Sequence, residues 1–373
     1  MSLSPREREI LALLRAQPML DAAGLARNLG TTKGAVAVAL SSLTQKGEIV
    51  GRGYVLRDEP WAVVVGGAAW DVKARSAATT RLHTSNPATV TRTPGGVGRN
   101  IAEGIARLDG RVHLVSAVGA DAAGGELLAR TAEAGVYVDK VVSSAAHATA
   151  SYLAALDADG ELVVGLSDFA ATDAMGVDAL AGAQELIGHA AVVVVDANIP
   201  AEVADWVLGV AASRGVRVVL EPVSVAKATR IAPLLRADRP VFAVTPNVDE
   251  LAALSGRDVP DEDAAISAAA QTLHERGVTH VWVSRGSAGS LLISDGVAVP
   301  IGAVEAEVAD VTGAGDAMTA GFVRALLAGE DPVAAARQGH LAAALTVASG
   351  HTVRPDLGVA FRAALADSER AHR

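Results

Sequence analysis

The sequence predicts an α/β protein built on a parallel sheet, with a small helical domain in front of it. From Trp61 onward, short runs of β-branched residues alternate with stretches of helical period, which is the pattern of repeated βαβ units. Polar residues follow the ends of several strands, where open α/β sheets place their ligands. At 373 residues, half of them apolar, the chain is long enough for one large domain and an appendage.

Charge divides the chain near residues 58–60. Residues 1–58 carry eight Lys or Arg against five Asp or Glu, a balance of +3, whereas the remainder carries 24 against 37, a balance of −13. An acidic body argues against non-specific nucleic-acid binding by the larger part. The two parts therefore predict separate domains, one over residues 1–58 and one over residues 61–370.

Cysteine content and hydropathy exclude several classes of protein. The chain has no cysteine, which excludes disulfides, thiolate metal sites and thiol catalysis and fits a reducing compartment. Its N-terminus is charged, and no apolar run approaches the roughly 18 residues that span a bilayer. We therefore expect a cytoplasmic protein with no membrane partner.

The first 58 residues predict three helices and a two-stranded wing. Ser4 and Thr31 or Thr32 can cap the first and third helices, and Pro5 suits a first helical position. The predicted spans are residues 5–15, 21–29 and 32–46 for the helices and 46–56 for the wing. This order resembles a winged helix-turn-helix, whose third helix would enter a DNA major groove.

The chemistry of the third helix leaves two roles open. Lys33 begins this helix, and Arg27 and Arg52 are near it in sequence, so positive charge is available for phosphate contacts. The rest of the helix is mostly Ala, Val, Ser and Gly, which are poor readers of base edges. The domain is therefore either DNA-binding or a vestigial or dimerising appendage.

The larger domain alternates strands and helices in order. A polar, Thr-rich excursion over residues 72–93 predicts two to four exposed strands outside the main sheet. The predicted strands are 62–65, 112–117, 152–156, 162–166, 191–195, 217–220, 241–244 and 280–284. The predicted helices are 98–108, 122–134, 177–187, 201–213, 314–327, 332–348 and 357–366.

A glycine-rich turn over residues 310–316 opens directly into one of these helices. The backbone N–H groups of Gly313, Ala314 and Gly315, with the positive end of the helix dipole, can hold developing negative charge. Asp316 follows in the first turn, where a carboxylate could take a proton from an attacking alcohol. Taken alone, Gly-Ala-Gly-Asp could equally be an ordinary capped turn.

A second glycine turn, Pro94-Gly95-Gly96-Val97-Gly98-Arg99-Asn100, opens another amphipathic helix far upstream. Together the two turns resemble the two signatures of the PfkB, or ribokinase-like, family of carbohydrate and nucleoside kinases, over roughly residues 61–360. The resemblance implies a ribokinase-like three-layer α/β/α sandwich with a small β-sheet lid. It also implies that the first turn binds the sugar and the second binds the transferring phosphate, with Asp316 as the base.

The same resemblance assigns the sugar side of the site. It implies that Asp71, which follows the first strand, binds sugar hydroxyls, because a carboxylate accepts two such bonds at once. The lid strands would lie within about residues 72–93 and 149–166 and commonly also form a homodimer interface. The full set of substrate residues implied is Asp71, Ser85, Asn86, Gly95, Gly96, Asn100 and Asp316.

The family resemblance also assigns the nucleotide side. Asn247 and Glu250 would organise Mg²⁺, partly through water, which suits an ion that prefers oxygen ligands. Asp310 and Thr312, with carbonyls near residues 348–349, match the monovalent-cation site, which usually holds K⁺. ATP would bind at Asn247, Glu250, Ser284, Gly286, Gly289, Thr312, Gly313 and Gly315. No P-loop sequence occurs.

Within that family, residues 84–87 and 93–103 look like the pseudouridine kinases. This closer resemblance implies ATP-dependent phosphorylation of the 5′-hydroxyl of pseudouridine. A kinase for another nucleoside or a ribose-like sugar stays open, because Ala69 replaces a frequent Asn and Trp70 is larger than usual. A transcription regulator that senses a nucleoside through a kinase-like domain also stays open, although a sensor would have no need of Asp316.

Overall fold

The computed structural model describes residues 3–17, 20–51, 55–56 and 59–371. The chain forms two compact units, Met1–Glu59 and Pro60–Arg373. Each unit has its own hydrophobic core.

The first unit contains three helices and a pair of short antiparallel strands. Its elements are α1 (Pro5–Ala16), α2 (Ala22–Asn28), α3 (Lys33–Gln45), β1 (Ile49–Gly51) and β2 (Val55–Leu56). Ser4, Asp21 and Thr32 cap the three helices, each side chain accepting a backbone N–H of the first turn. Arg52, at the tip of the predicted wing, lies outside the described residues, as do Gly53 and Tyr54.

The second unit contains the remaining strands and helices. Its strands are β3 (Trp61–Val65), β4 (Ala69–Ser76), β5 (Ala88–Gly95), β6 (Arg111–Val115), β7 (Ala117–Gly119), β8 (Val142–Ser144), β9 (Ser151–Leu156), β10 (Leu162–Asp168), β11 (Val192–Asp196), β12 (Arg217–Glu221), β13 (Val241–Val244), β14 (Val278–Ser284), β15 (Ser290–Ser294) and β16 (Val297–Ile301). Its helices are α4 (Val97–Arg107), α5 (Ala122–Glu133), α6 (Ala170–Asp173), α7 (Gln184–Gly188), α8 (Ala201–Arg214), α9 (Val225–Ile231), α10 (Val248–Ser255), α11 (Asp263–Glu275), α12 (Ala314–Leu327), α13 (Pro332–Val347) and α14 (Leu357–Ala371).

The main sheet has eight strands in the order β16-β15-β14-β13-β12-β11-β3-β6. The six strands from β14 to β6 are parallel, and β15 and β16 add antiparallel at one edge. Because the six parallel strands point the same way, their carboxyl ends meet along one edge of the sheet. The loops that leave this edge carry the candidate site.

Helices cover both faces of the main sheet, which gives three layers. Val63 and Val193 face α8, α10 and α11 on one side, and Val64 and Val194 face α4, α12 and α13 on the other. Strands that are buried on both faces must be apolar at every position, which explains the uninterrupted Val192–Val195 run.

A separate small sheet has four strands in the order β10-β9-β4-β5. Side chains alternate between its two faces along each strand. We call the face that carries Asp71, Lys73 and Tyr152 the inner face, and the opposite face, with Trp70 and Leu153, the outer face; the strand register places Asp71 directly beside Tyr152.

Several elements differ from the sequence prediction, which did not include β15, β16, α9 or α11. Residues 177–187 form a 3₁₀ segment, Val177–Ala183, before α7, because Gly182 weakens a continuous α-helix. The strand predicted over residues 112–117 ends at Val115, and β7 then pairs with β8. Asp71 lies within β4 and not in a loop. None of the helices in the described ranges is long and apolar enough to cross a membrane.

Candidate active site

The fold brings the two glycine turns together. Helices α4 and α12 begin at these turns and pack closely, since a Cβ on Gly104 would lie 2.7 Å from the Cβ of Ala320. Asn100 in α4 donates from Nδ2 to Oδ2 of Asp316 in α12 at 2.8 Å, across 216 residues of sequence. The candidate sugar turn and the candidate base therefore share one site.

Asp316 is partly buried in the first turn of α12. Burial is the largest cause that raises the pKa of its carboxyl group, the charges of Asp196 and Asp71 also raise it, and the net pKa is about 7. The hydrogen bond from Asn100 and the positive charge of Arg99 act in the opposite direction. A carboxyl group with a pKa near 7 can both accept and release a proton at neutral pH.

The backbone before Asp316 forms an anion cradle. Gly313 has φ 82°, and a Cβ there would lie 2.1 Å from the carbonyl oxygen of Thr352, so only glycine fits. The N–H groups of Gly313 and Gly315 have no backbone partner within the described part of the chain. The prediction of a third free N–H is wrong, because Ala314 donates to the carbonyl of Val311 at 3.2 Å.

Asp71 lies against the first glycine turn. A Cβ on Gly95 would lie 2.2 Å from Oδ2 of Asp71, so the close approach of carboxylate and backbone requires glycine. Gly96 has φ 90° and a Cβ there would lie 2.7 Å from the carbonyl oxygen of Gly67. Burial raises the pKa of Asp71, and Arg99 and Lys73 partly offset this effect.

Arg99 is a site residue that the sequence analysis missed. Its side chain is buried and donates to the carbonyl oxygens of Gly95 at 3.0 Å and Pro94 at 3.2 Å. It also donates to Oδ1 of Asn100 and pairs with Glu103. Arg99 thereby holds the amide oxygen of Asn100 away from Asp316, so that the amide nitrogen faces the candidate base.

Asp196, at the carboxyl end of β11, ties the sugar side to the main sheet. Its Oδ2 accepts the backbone N–H groups of both Gly67 and Gly98 at 2.8 Å. Its Oδ1 accepts two bonds from Asn198, whose own Oδ1 accepts from Lys227. Asp196 and Asn198 directly follow the predicted strand 191–195, but this position does not indicate that Asp196 joins two glycine turns.

The candidate nucleotide side is built around the start of α10. Asn247 Oδ1 accepts the N–H of Glu250 at 2.9 Å, and Glu250 Oε2 accepts the N–H of Asn247 at 2.9 Å. This capping box leaves the second carboxylate oxygen of Glu250 available. Asn247 also lies beside Ser284, whose N–H donates to the Pro246 carbonyl at 2.9 Å.

The turn after β14 continues this side of the site. Gly286 and Gly289 both have positive φ angles, 58° and 87°. A Cβ on Gly289 would lie 2.3 Å from the carbonyl oxygen of Ile301, whereas one on Gly286 would meet open space. Gly289 is thus required by packing, and Gly286 leaves room for a ligand.

Glu221 connects the two sides of the site and was not assigned a role from the sequence. Its Oε2 accepts hydrogen bonds from Thr245 at 2.7 Å and from Thr319 at 3.0 Å. Thr319 is one turn beyond Asp316, and Thr245 is two residues before Asn247. Burial most of all, together with the charges of Glu250 and Asp316, raises the pKa of Glu221 to about 8 against the lowering effect of these two hydrogen bonds.

The side-chain oxygens of Asn247 and Glu250 suit a hydrated magnesium ion. No three His, Cys, Asp or Glu side chains among the described residues could hold a metal ion by themselves. Mg²⁺ usually binds through one or two carboxylates, several waters and substrate phosphates. Asn247 and Glu250 therefore fit such an ion. Burial raises the pKa of Glu250, and the charge of a nearby cation would stabilise its anionic form.

The residues predicted for the lid and for the cation site make contacts of their own. Asn86 uses its amide to bond the backbone of Arg81 and Thr84, so it closes its own loop. Within the described residues, no hydrogen bond or ion pair links Ser85 or Asn86 to the rest of the site. Asp310 accepts from the N–H and hydroxyl of Thr312, and its Oδ2 lies 3.5 Å from Nζ of Lys73.

The model of the pfkB family of carbohydrate kinases matches residues 61–357, and the chain belongs to this family. It is 33% identical over 353 residues to an uncharacterised sugar kinase, YeiI, of Escherichia coli K12, covering 94% of this chain and 96% of that protein. It is 34% identical over 310 residues to the pseudouridine kinase of the same organism, covering 82% of this chain and 96% of that protein.

A solved structure gives the same result for the fold. Arabidopsis thaliana ribokinase, complexed with ribose and ATP, superimposes with a TM-score of 0.69 at 26% identity. The match covers 81% of this chain and 99% of the ribokinase. The predicted ribokinase-like α/β fold is confirmed.

Proposed function

We propose that this kinase transfers the γ-phosphoryl group of ATP to the 5′-hydroxyl of a nucleoside, and that the nucleoside is pseudouridine. The observation that carries the reaction type is the hydrogen bond between Asn100 and Asp316, which joins the sugar turn to the general base. Similarity to a pseudouridine kinase supports the substrate, although an uncharacterised sugar kinase is about as similar.

The reaction uses residues on both turns. Asp71 accepts hydrogen bonds from the ribose hydroxyls and orients the 5′-hydroxyl toward Asp316. Asp316 takes the hydroxyl proton as the oxygen forms its bond to the γ-phosphorus, and the bond to the bridging oxygen of ADP breaks. The N–H groups of Gly313 and Gly315 bind the transferring phosphoryl oxygens. Asp316 then releases its proton to solvent.

Asn247 and Glu250 would hold the magnesium of the nucleotide, partly through water. When bound, Mg²⁺ neutralises charge on the phosphate oxygens. Ser284 and Gly286 lie beside this region and would contact ATP. Glu221 fixes the distance between the base helix and the nucleotide loop through its two threonine hydrogen bonds.

The monovalent cation at Asp310 and Thr312, completed by carbonyls near residues 348–349, stays a prediction. Lys73 already supplies a positive charge 3.5 Å from Asp310. A potassium ion at this carboxylate would compete with that ammonium group. The ammonium group beside Asp310 therefore does not favour a potassium ion there, and no step of the proposed reaction depends on that ion.

The small sheet would act as a lid and as a homodimer interface. Its inner face carries Asp71, which supports a position over the sugar. Its outer face exposes four apolar side chains, with 38–62% of each accessible, and such a patch marks an interaction surface. These residues are Val90, Leu153, Val164 and Leu166. Sedimentation of the wild type and of a Leu166→Asp variant would test this interface.

The first unit would be a winged helix-turn-helix that binds DNA. The exposed face of α3 carries Lys33, Ala35, Ala37 and Val38. The three apolar side chains suit contact with thymine methyl groups better than hydrogen bonds to base edges. With a charge of only +3, one copy would bind weakly, so two copies in a dimer are needed for a pseudo-palindromic site.

A mobility shift with the upstream DNA of its own gene tests this second role. Binding that falls steeply with salt and responds to the nucleoside would support it. If no sequence-selective shift occurs at low salt, the unit is vestigial or dimerising. Loss of residues 1–58 should leave kinase activity intact in either case, because every proposed catalytic residue lies downstream.

Steady-state rates with pseudouridine, uridine, cytidine, adenosine and ribose test the proposed substrate. We expect the highest kcat/KM with pseudouridine and formation of ADP in equal amount to phosphorylated product. A preference for another nucleoside or for ribose would correct the substrate and keep the kinase. Nucleoside binding without turnover on any acceptor would instead support a sensor.

A further inference from the structure

Tyr152 occupies the strand position beside Asp71. Residues 71 and 152 are direct partners in the parallel pair β4 and β9, and residue 167 of β10 is the next partner across. Directly paired residues of neighbouring strands point to the same face, and the strands are about 4.8 Å apart. The ring of Tyr152 therefore starts one strand away from the carboxylate that would bind ribose.

The ring of Tyr152 lies across Gly165 of β10. A Cβ on Gly165 would lie 2.7 Å from the hydroxyl oxygen of Tyr152 and 3.3 Å from two of its ring carbons. Only the absence of a side chain at residue 165 allows the ring to lie in this position. Gly165 thus supports one side of the ring. Ala154, the partner of Gly165 on β9, is only 5% exposed.

The inner face of the small sheet looks toward the catalytic helix. Lys73, two residues after Asp71 on the same face, reaches Asp310 in the turn before α12. Asp71 raises the pKa of Asp316 through its charge. Tyr152 is only partly buried, so its ring has a surface left to offer a ligand on this face.

We propose that Tyr152 is the stacking platform for the planar base of the substrate, and that it confers the preference for a nucleoside over free ribose. This inference rests on the proposed nucleoside kinase activity and deepens it. Asp71 holds the ribose, and the neighbouring ring holds the base attached to it. Asn86, one of the expected substrate residues, uses its amide to hydrogen-bond the backbone of Arg81 in its own loop, so Tyr152 is the better candidate for contact with the base.

A purely structural role for Tyr152 makes a different prediction. If the ring only covered Ala154, its loss would loosen the small sheet and weaken every acceptor alike. A stacking role affects only acceptors that carry a base. The ratio of KM values for a nucleoside and for ribose separates the two roles, and the KM for ATP reports on the rest of the site.

The test uses full-length Tyr152→Phe, Tyr152→Leu and Gly165→Ala, with Tyr137→Leu, at an exposed tyrosine of another region, as the matched control. Pseudouridine and ribose are the acceptors, and calorimetry with pseudouridine alone gives affinity without turnover. Base stacking on an aromatic ring corresponds to about 5- to 150-fold in affinity. We expect that increase in the pseudouridine KM and Kd for Tyr152→Leu, with kcat and the ribose KM unchanged.

The other variants sharpen the result. Tyr152→Phe keeps the ring and should behave like the wild type. Gly165→Ala displaces the ring and should change the pseudouridine KM in the same direction as Tyr152→Leu. Equal effects on pseudouridine and ribose, or no effect of Tyr152→Leu, would overturn the stacking role while leaving the kinase. A wild-type enzyme that phosphorylates ribose but no nucleoside would overturn the proposed substrate and, with it, this inference.

Discussion

Replacing Asn100 by Ala should shift the pH dependence of catalysis to higher pH. Asn100 donates to the carboxylate of Asp316 at 2.8 Å and lowers its pKa, whereas burial raises it, and the net pKa is about 7. Only the deprotonated carboxylate can take the proton of the attacking hydroxyl. Removing the donor destabilises that form, so a higher pH is needed to produce it.

The magnitude follows from the strength of one charge-assisted hydrogen bond. Such a bond contributes about 1.5–3 kcal/mol, and one pKa unit corresponds to about 1.4 kcal/mol. The pKa of Asp316 should therefore rise from about 7 to about 8–9 in Asn100→Ala. At pH 7 the deprotonated fraction would fall about 5- to 50-fold, and kcat/KM would fall with it.

The assay is kcat/KM for the preferred acceptor from pH 5.5 to pH 10, at saturating ATP and Mg²⁺. The kcat/KM of the wild type should rise with pH through about 7 and then become constant. The kcat/KM of Asn100→Ala should rise at a higher pH and recover part of its loss at pH 9. The matched control is Asn28→Ala, in the first unit. If the kcat/KM of Asn100→Ala rises at the same pH as that of the wild type, Asn100 does not control the pKa of the base.

Two further predictions test other parts of the site. Asp71→Ala loses hydrogen bonds to the ribose, so the nucleoside KM should rise about 10- to 150-fold while the ATP KM hardly moves; the opposite pattern would place Asp71 on the nucleotide side. Lys73→Ala removes the ammonium group from Asp310, so we expect turnover to become more responsive to K⁺; an identical K⁺ titration in variant and wild type would show that Lys73 does not compete for that carboxylate.

Much of the fold could be predicted from the sequence because its patterns are local. The Val192–Val195 run indicates a strand buried on both faces. Ser4 and Thr31 or Thr32 indicate helix starts, and the structure has Ser4 and Thr32 as caps. The 3₁₀ segment Val177–Ala183 could not be predicted, because a helical period of apolar residues does not distinguish it from an α-helix.

The parts of the site that are continuous in sequence could also be located. Glycine turns open α4 and α12 as expected, and Asn247 with Glu250 forms a capping box that a spacing of three residues indicates. Ala314 was misjudged because the turn bond to Val311 depends on backbone angles that the residue types do not specify.

The residues that were missed act through side-chain contacts that the motifs and their spacing do not specify. Arg99 lies inside the first motif, yet its contacts to Asn100 and Glu103 become visible only when the helix is built. Glu221 joins Thr245 and Thr319, and no spacing in the sequence relates the three. The available signal was the presence of polar residues at strand ends. This signal locates residues such as Glu221, but it does not indicate what each residue does.

We propose Asp316 as the general base of a phosphoryl transfer. The most direct test of this role is the turnover of purified Asp316→Asn with ATP, Mg²⁺ and the preferred acceptor, with ATP affinity measured alongside. We predict a loss in kcat of at least about a hundredfold with ATP affinity retained. Near wild-type turnover in a variant that binds ATP normally would contradict the assignment.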